Sequence, residues 1–335
     1  MDPMRMHGPH ASHARAMHSR VQHGQPQLRH ATVAAAAGSG SGAPEALPAP
    51  RITSTSNEYV KHCVRLRTSA RYRADAGRCL LVGSELLREA AGDAGPLQAR
   101  VLFVPETSTS GSGPAPPTFG IDARAAVVVS EGVLKKLTGL ESVDGVGAVA
   151  ELDLPPEADF SQPGMRVSRL LALDRVQDPG NLGTLLRTAV AFGWDGVFLL
   201  PGCADPFGDK AVRAGRGAAL RAPIVRGDLA QLQALVASHH LLMVAAEPEE
   251  DAAGGGGGAP GQGTASGGVC LVLGSEGQGL SPEVLAACTP VAIPMAGRME
   301  SLNVGIAGGI LMFMLSQGMG PLSARLDSLL GRREA

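Results

Sequence analysis

Four uninterrupted apolar runs constrain the fold of this chain more than any other feature. RLLALD begins at Arg169, GVFLLP at Gly196, LLMVAAE at Leu241 and VCLVLG at Val269. Each has the length of a strand and none alternates apolar with polar residues, so each predicts a strand covered on both faces. Segments of helical character separate them: one opening at QDPGNLGTLLRTA (residues 177–189), one in residues 210–220 and one over 228–238. A short strand, VAIP (291–294), and a long helix over 301–316 complete the alternation. Strand–helix alternation with apolar strands predicts an α/β fold around a mostly parallel sheet.

The rest of the 335 residues divides by composition. Residues 1–50 are rich in Ala, Gly, Ser, Pro and His and carry Arg5, Arg15, Arg20 and Arg29, with only Asp2 and Glu45 acidic. An arginine-bearing, acid-poor leader without a long apolar core predicts an organellar transit peptide, for chloroplast or mitochondrion. A tail with no address, on a cytoplasmic protein, is the alternative. Residues 51–156 predict a small α/β domain with strands in CLLVG, VLFVP and AAVVVS, a helix near 85–91 and a loop over 105–117. Turn formers over 157–164 predict a linker. Residues 165–320 form the second domain, interrupted by the glycine-rich excursion 247–268. Residues 321–335 are a tail.

The charge balance is nearly even, with 29 Lys and Arg against 31 Asp and Glu. Any contact with nucleic acid must therefore be a local patch. The clearest one lies in RITSTSNEYVKHCVRLRTSARYRADAGR, where Arg51, Lys61, Arg65, Arg67, Arg71, Arg73 and Arg78 face only Glu58 and Asp75. Ser56 or Asn57 caps a helix that turns Val60, Val64 and Leu66 inward and the arginines outward. Lys61, Arg65, Arg67, Arg71 and Arg73 are the candidate phosphate contacts to a nucleic acid, against the plainer reading of a solvated helix face. Five scattered cysteines without a C-x-x-C pair predict neither a disulfide framework nor a zinc site. No apolar run reaches the roughly 20 residues of a membrane span.

Three stretches of the second domain carry candidate chemistry. In the first, Pro179 and Gly180 predict a turn, Asn181 the N-cap of a helix and Gly193 its stop. Arg187 lies roughly 9 Å up that helix from Asn181. Helical side chains lean toward the N-terminus, so the guanidinium can reach the end that Asn181 occupies. The second stretch, LVLGSEGQGLS, runs a buried strand into Gly274, Gly277 and Gly279, with Glu276 the lone carboxylate. That spacing is not the dinucleotide G-x-G-x-x-G, but it lets a ligand approach the backbone closely. The third, IPMAGRMESLNVGIAGG, predicts a loop, a cap at Ser301 and a helix beginning at Leu302 and Asn303. Its Gly305, Ala307, Gly308 and Gly309 suit a tight interface, internal or between subunits. Each stretch alone has a plain structural explanation: a capped helix with one arginine, a strand-to-helix turn, and close core packing.

Together and in order, the three stretches resemble the SpoU/TrmH family of RNA ribose 2′-O-methyltransferases, of the SPOUT superfamily. The resemblance covers residues 170–315, and the basic segment 52–73 is similar to that family's small ribosomal-protein-like substrate-binding domain. It implies a knotted parallel-sheet methyltransferase domain, a rare exception to unknotted connectivity. It implies S-adenosylmethionine as cofactor, held by Leu273, Gly274, Ile293, Met295 and Leu302, and catalysis by Asn181, Arg187, Glu276, Ser301 and Asn303 without a metal. It also implies a homodimer, to which the glycine-rich face after Asn303 is suited, and large-subunit rRNA as substrate. A tRNA 2′-O-methyltransferase and a non-catalytic RNA-binding assembly factor are the competing readings. Arg216 stands where relatives often have a small residue, either extending RNA contact or simply exposed.

Overall fold

The computed structural model describes residues 50–91, 97–106, 119–162, 164–246, 268–275, 277–293, 295 and 301–316. The expected leader, glycine-rich excursion and tail fall almost wholly outside them, as does most of the loop over 105–117. Among the described residues, no helix is long and apolar enough to cross a membrane.

The first part holds β1 (Arg51–Ile52), α1 (Glu58–Thr68), α2 (Ala70–Ala76), β2 (Arg78–Val82) and α3 (Ser84–Ala91). It continues through β3 (Leu97–Ala99), β4 (Val101–Pro105), β5 (Ile121–Ala123), β6 (Ala126–Val129), α4 (Glu131–Thr138) and β7 (Val149–Asp153). Five of these strands form one mixed sheet in the order β1-β6-β4-β7-β2, with β7 antiparallel to both neighbours. Asn57 caps α1 by accepting from the Tyr59 N–H. Val60 and Leu66 are buried beneath the helix as expected, but Val64 is only half-buried, and Tyr59, His62 and Cys63 take the remaining inward positions.

The second part comprises β8 (Arg169–Leu173), α5 (Pro179–Ala191), β9 (Gly196–Leu199), α6 (Asp209–Ala214), β10 (Ile224–Arg226), α7 (Leu229–Ser238) and β11 (Leu242–Ala246). It ends with β12 (Val269–Leu273), α8 (Pro282–Ala286), β13 (Thr289–Val291) and α9 (Val304–Ser316). Its six strands are all parallel, in the order β10-β9-β8-β12-β11-β13. β9 and β12 are buried at every residue, and β8 at all but Arg169. The α/β fold around a parallel sheet, expected from the apolar runs, is the fold observed. Strand order reverses between β8 and β12, and at such a point the helices diverge and leave a crevice at the carboxyl ends of the strands.

Local details differ from the sequence expectation. The helix of the first stretch starts at Pro179 rather than at Asn181, because Asp178 is the cap and accepts from the Asn181 N–H at 2.9 Å. Proline at the first helical position needs no donor there, so the DPGN run is a cap followed by helix rather than a turn. The last helix starts at Val304, not at Ser301: Asn303 Oδ1 accepts from the Gly305 and Ile306 N–H groups and is the cap. The helix expected over 210–220 is α6 followed by a 3-10 turn, Ala218–Leu220, broken where Arg216 and Gly217 adopt positive φ.

The two sheets are not separate bodies joined by a string. One hydrophobic cluster contains Leu81, Leu87, Ala90 and Leu152 of the first part together with Val212, Ala218, Leu182 and Leu271 of the second. Two ion pairs cross the seam. Arg73 reaches Asp205 at 2.6 Å, and Arg216 pairs with Glu89.

Candidate active site

At the carboxyl end of the parallel sheet, a cleft of about 260 Å³ opens between the loop after β12 and the segment leading into α9. Leu273, Gly274, Ile293, Met295 and Leu302 all line it, and Ser301 stands at its rim. Ser275, Gly277, Gly279 and Leu280 supply the wall from the β12 side. Apolar side chains and backbone dominate this lining. Gly274 could not be replaced without moving the wall: a Cβ there would lie 2.5 Å from the Gly279 carbonyl carbon. At Gly277, by contrast, nothing lies within 4 Å of a Cβ position, so that backbone faces open space.

Beside the cleft, α5 and α9 pack closely and run side by side in the same direction. Small residues on α9 allow this. A Cβ on Gly308 would lie 2.4 Å from Leu185 Cδ2 and 2.6 Å from Leu273 Cδ1, and one on Gly305 would lie 3.4 Å from Thr184 Cγ2. The glycine face therefore meets α5 of the same chain and is not left for another subunit. The face turned outward carries Ile306, Ile310 and Phe313, all exposed.

The close approach of the two helices brings their N-terminal ends together. Asn303 Nδ2 donates to Asn181 Oδ1 at 3.2 Å, linking residues 122 positions apart. Asp178 sits at the same end, ion-paired with Lys210 at 2.9 Å. The Lys210 hydrogen bond, with that of the Asn181 N–H, holds the Asp178 carboxyl below the usual carboxylate range. Arg187 lies further along α5 in an exposed stripe with Thr184 and Ala191, and makes no hydrogen bond or ion pair with another described residue. Glu276 lies outside the described residues, as do Arg298 and Glu300. The chain path from Ile293 to Ser301, on which a knot would turn, is described only in part.

Comparison with known proteins decides what this arrangement belongs to. Residues 168–313 match the model of the SpoU rRNA Methylase family. A tRNA/rRNA methyltransferase of Synechocystis sp., itself uncharacterized, is 34% identical over 78% of this chain and 92% of its own length. The 23S rRNA (guanosine(2553)-2′-O)-methyltransferase RlmP of Bacillus subtilis is 30% identical over 79% of this chain and 98% of its own. The chain belongs to the SpoU rRNA methylase family. Among solved structures, an AdoMet-bound rRNA methyltransferase from Sinorhizobium meliloti superposes with a TM-score of 0.63 at 26% identity, covering 79% of this chain and 96% of that one.

Within this SpoU family member, the candidate RNA contacts of the first part do not share one fate. Lys61, Arg65 and Arg71 are exposed, with Lys61 paired to Glu58, Arg71 facing Asp75 at 3.8 Å, and the Arg65 guanidinium stacked 4.5 Å from the Tyr72 ring centre. Arg67 is half-buried. Arg73 is a correction: it is buried, donating to the Leu66 and Arg67 carbonyls and pairing with Asp205 across the seam. A guanidinium so enclosed cannot reach a phosphate. Arg216 is likewise engaged, with Glu89 of α3.

Sequence reading missed a buried, multiply bonded carboxylate of the first part. Glu151, on β7, is fully buried and accepts from Tyr59, from His62 at 3.0 Å and from Arg78 at 2.9 Å. Burial alone would raise its pKa, but the hydrogen bonds from His62 and Tyr59 and the nearby positive charge outweigh that, and the net shift is downward. His62 passes the chain on to the Tyr72 hydroxyl at 2.8 Å. Asp178 was missed too, although an aspartate directly before a proline that opens a helix is a recognisable cap signal.

Proposed function

We propose that this protein transfers a methyl group from S-adenosylmethionine to a ribose 2′-hydroxyl of RNA, with large-subunit rRNA as the substrate. One observation carries the reading: a cleft walled by backbone and apolar side chains abuts the Asn181–Asn303 pair at the N-terminal ends of two helices. The lining fits the cofactor. Leu273, Ile293, Met295 and Leu302 offer apolar contact, Gly277 offers backbone without obstruction, and Gly274 lets Gly279 and Leu280 close against it to form the wall. When bound, S-adenosylmethionine supplies an activated methyl group on a sulfonium. The protein's part is alignment of the hydroxyl and management of one proton.

Asn181 and Asn303, held by each other, orient the ribose. The Arg187 guanidinium clamps the target phosphate, and its charge favours ionisation of the neighbouring hydroxyl. Ser301 completes the polar rim, with Glu276 as a further member. Lys61, Arg65 and Arg71 extend the phosphate contact over the first part. The exposed stripe Ile306, Ile310 and Phe313 supports a homodimer in which that stripe is covered by a second copy. The Bacillus relative's name supports rRNA over tRNA, and the arginine-bearing leader supports delivery to an organelle.

The deciding measurement is transfer of tritiated methyl from S-adenosylmethionine to RNA by the full chain, followed by mapping of ribose methylation in organellar and cytosolic RNA with and without the protein. Loss of a single 2′-O-methyl site in large-subunit rRNA is the expected result. Loss of a tRNA site would move the substrate, and absence of any transfer would leave an RNA-binding role.

A further inference from the structure

The wall of the cleft is held from behind by two residues to which neither the motifs nor the chemistry assigns a role. Asp174 and Arg175 follow β8 directly, at the point where strand order reverses. Asp174 is buried at 4% exposure and its Oδ2 accepts from the Ser281 N–H at 2.7 Å, while its own N–H donates to the Leu273 carbonyl at 2.9 Å. One aspartate thus fixes both ends of the loop after β12. Arg175 adopts a left-handed backbone, φ 55°, which a side chain other than glycine rarely accepts. That conformation sends its guanidinium back over the loop. Nη1 donates to Gln278 Oε1 at 3.3 Å, Nη2 makes a long contact to the Gly279 carbonyl at 3.5 Å, and Nε faces Asp174 Oδ1 at 3.4 Å.

The loop has two faces. Gly274, Ser275, Gly277, Gly279 and Leu280 line the cleft, and Gln278 does not. Arg175 grips that outward residue and its neighbour's carbonyl. Between the ends, Ser275 and Gly279 exchange backbone hydrogen bonds at 3.1 and 2.9 Å, closing the loop into a tight lobe. A lobe rich in glycine has much conformational freedom to lose on binding.

We infer that Asp174 and Arg175 are positioning residues that preset this lobe for the cofactor, touching it only through the loop. The inference rests on the reading of the cleft as an S-adenosylmethionine site. Its core is that the side chain of Arg175, and not its backbone, sets cofactor affinity.

Arg175→Gly tests this, because glycine accepts the positive φ and the side chain is removed without moving the backbone. Binding of S-adenosylmethionine and S-adenosylhomocysteine to the full chain would be measured by calorimetry, with thermal unfolding alongside. Both ligands are expected to bind roughly five- to tenfold more weakly, as for loss of one or two partly exposed charged hydrogen bonds, with Tm unchanged or higher. Turnover at saturating cofactor should stay within about twofold, so the effect falls on KM rather than kcat. Gln278→Ala should weaken binding less, and the double variant no more than Arg175→Gly alone. Amide exchange at Ser275 and Gly279 should quicken in the ligand-free variant. Unchanged affinity in Arg175→Gly while wild type binds would overturn the latch alone. No binding of S-adenosylmethionine by wild type would overturn the reading of the cleft, and the latch with it.

Discussion

The two halves of this molecule treat their polar side chains in opposite ways. In the first, Glu151, His62, Tyr59 and Arg78 are drawn inward and satisfy one another, and Arg73 is spent on the seam with Asp205. In the second, Ser301 lines a cleft, Asn181 and Asn303 pair beside it, and Arg187 lies on the exposed side of α5. A buried charge must be fully bonded, because desolvation otherwise costs several kcal/mol. A residue that meets a ligand must keep bonding capacity in reserve. The contrast predicts that loss of the first kind of residue unfolds the protein and loss of the second kind silences it.

The sharpest way to break that contrast is at Glu151. Glu151→Ala leaves buried His62 and Tyr59, and half-buried Arg78, without their common acceptor, and is expected to cost about 3–5 kcal/mol of stability by denaturant unfolding. The molecules that remain folded should bind S-adenosylmethionine as wild type does. Arg187→Ala should do the reverse, lowering methyl transfer by about 10²–10³-fold with Tm and cofactor affinity unchanged. Near-wild-type turnover in that variant would remove Arg187 from the site. Ile306→Asp on the outward stripe of α9 should weaken self-association about thirtyfold, seen by sedimentation, without loss of helical signal.

A pH series sharpens the same comparison. Because the folded state holds Glu151 below its ordinary pKa, the stability it contributes is complete above the unfolded value near ~4.3 and is lost as pH falls from there through the folded value. The acid limb of the unfolding curve should therefore be shallower in Glu151→Gln than in wild type. The smallest effects belong to the exposed basic face. Lys61→Ala and Arg71→Ala are each expected to lower the salt dependence of RNA binding by about one unit of slope. Arg73→Ala should instead lower stability, and a selective loss of RNA affinity there would contradict its burial.

What could be read early was whatever repeats locally. Unbroken apolar runs report a strand covered on both faces whatever covers it, and the spacing of Gly274, Gly277 and Gly279 reports a backbone open to approach. The five residues named as cofactor contacts line one cleft, and their apolar or absent side chains were visible as such in the sequence. Cap positions slipped by two or three residues, since Asp178 competes with Asn181 and Asn303 with Ser301 for the same role, and only backbone direction chooses between them.

By itself, then, the sequence determined the strand–helix alternation of a parallel sheet, the glycine-rich loop after one of its strands and the helices that open near Asn181 and Asn303, because each depends on a pattern within a short window. Tertiary structure alone decided which charges are hidden. Arg73 looks like Arg71 in the chain, yet its partner Asp205 lies 132 residues away. Tertiary structure also decided that the glycines of α9 meet α5, leaving the apolar face outward, and that Asp174 and Arg175 lie behind the cleft wall. Burial and partnership depend on what the rest of the chain brings alongside, and no local pattern records that.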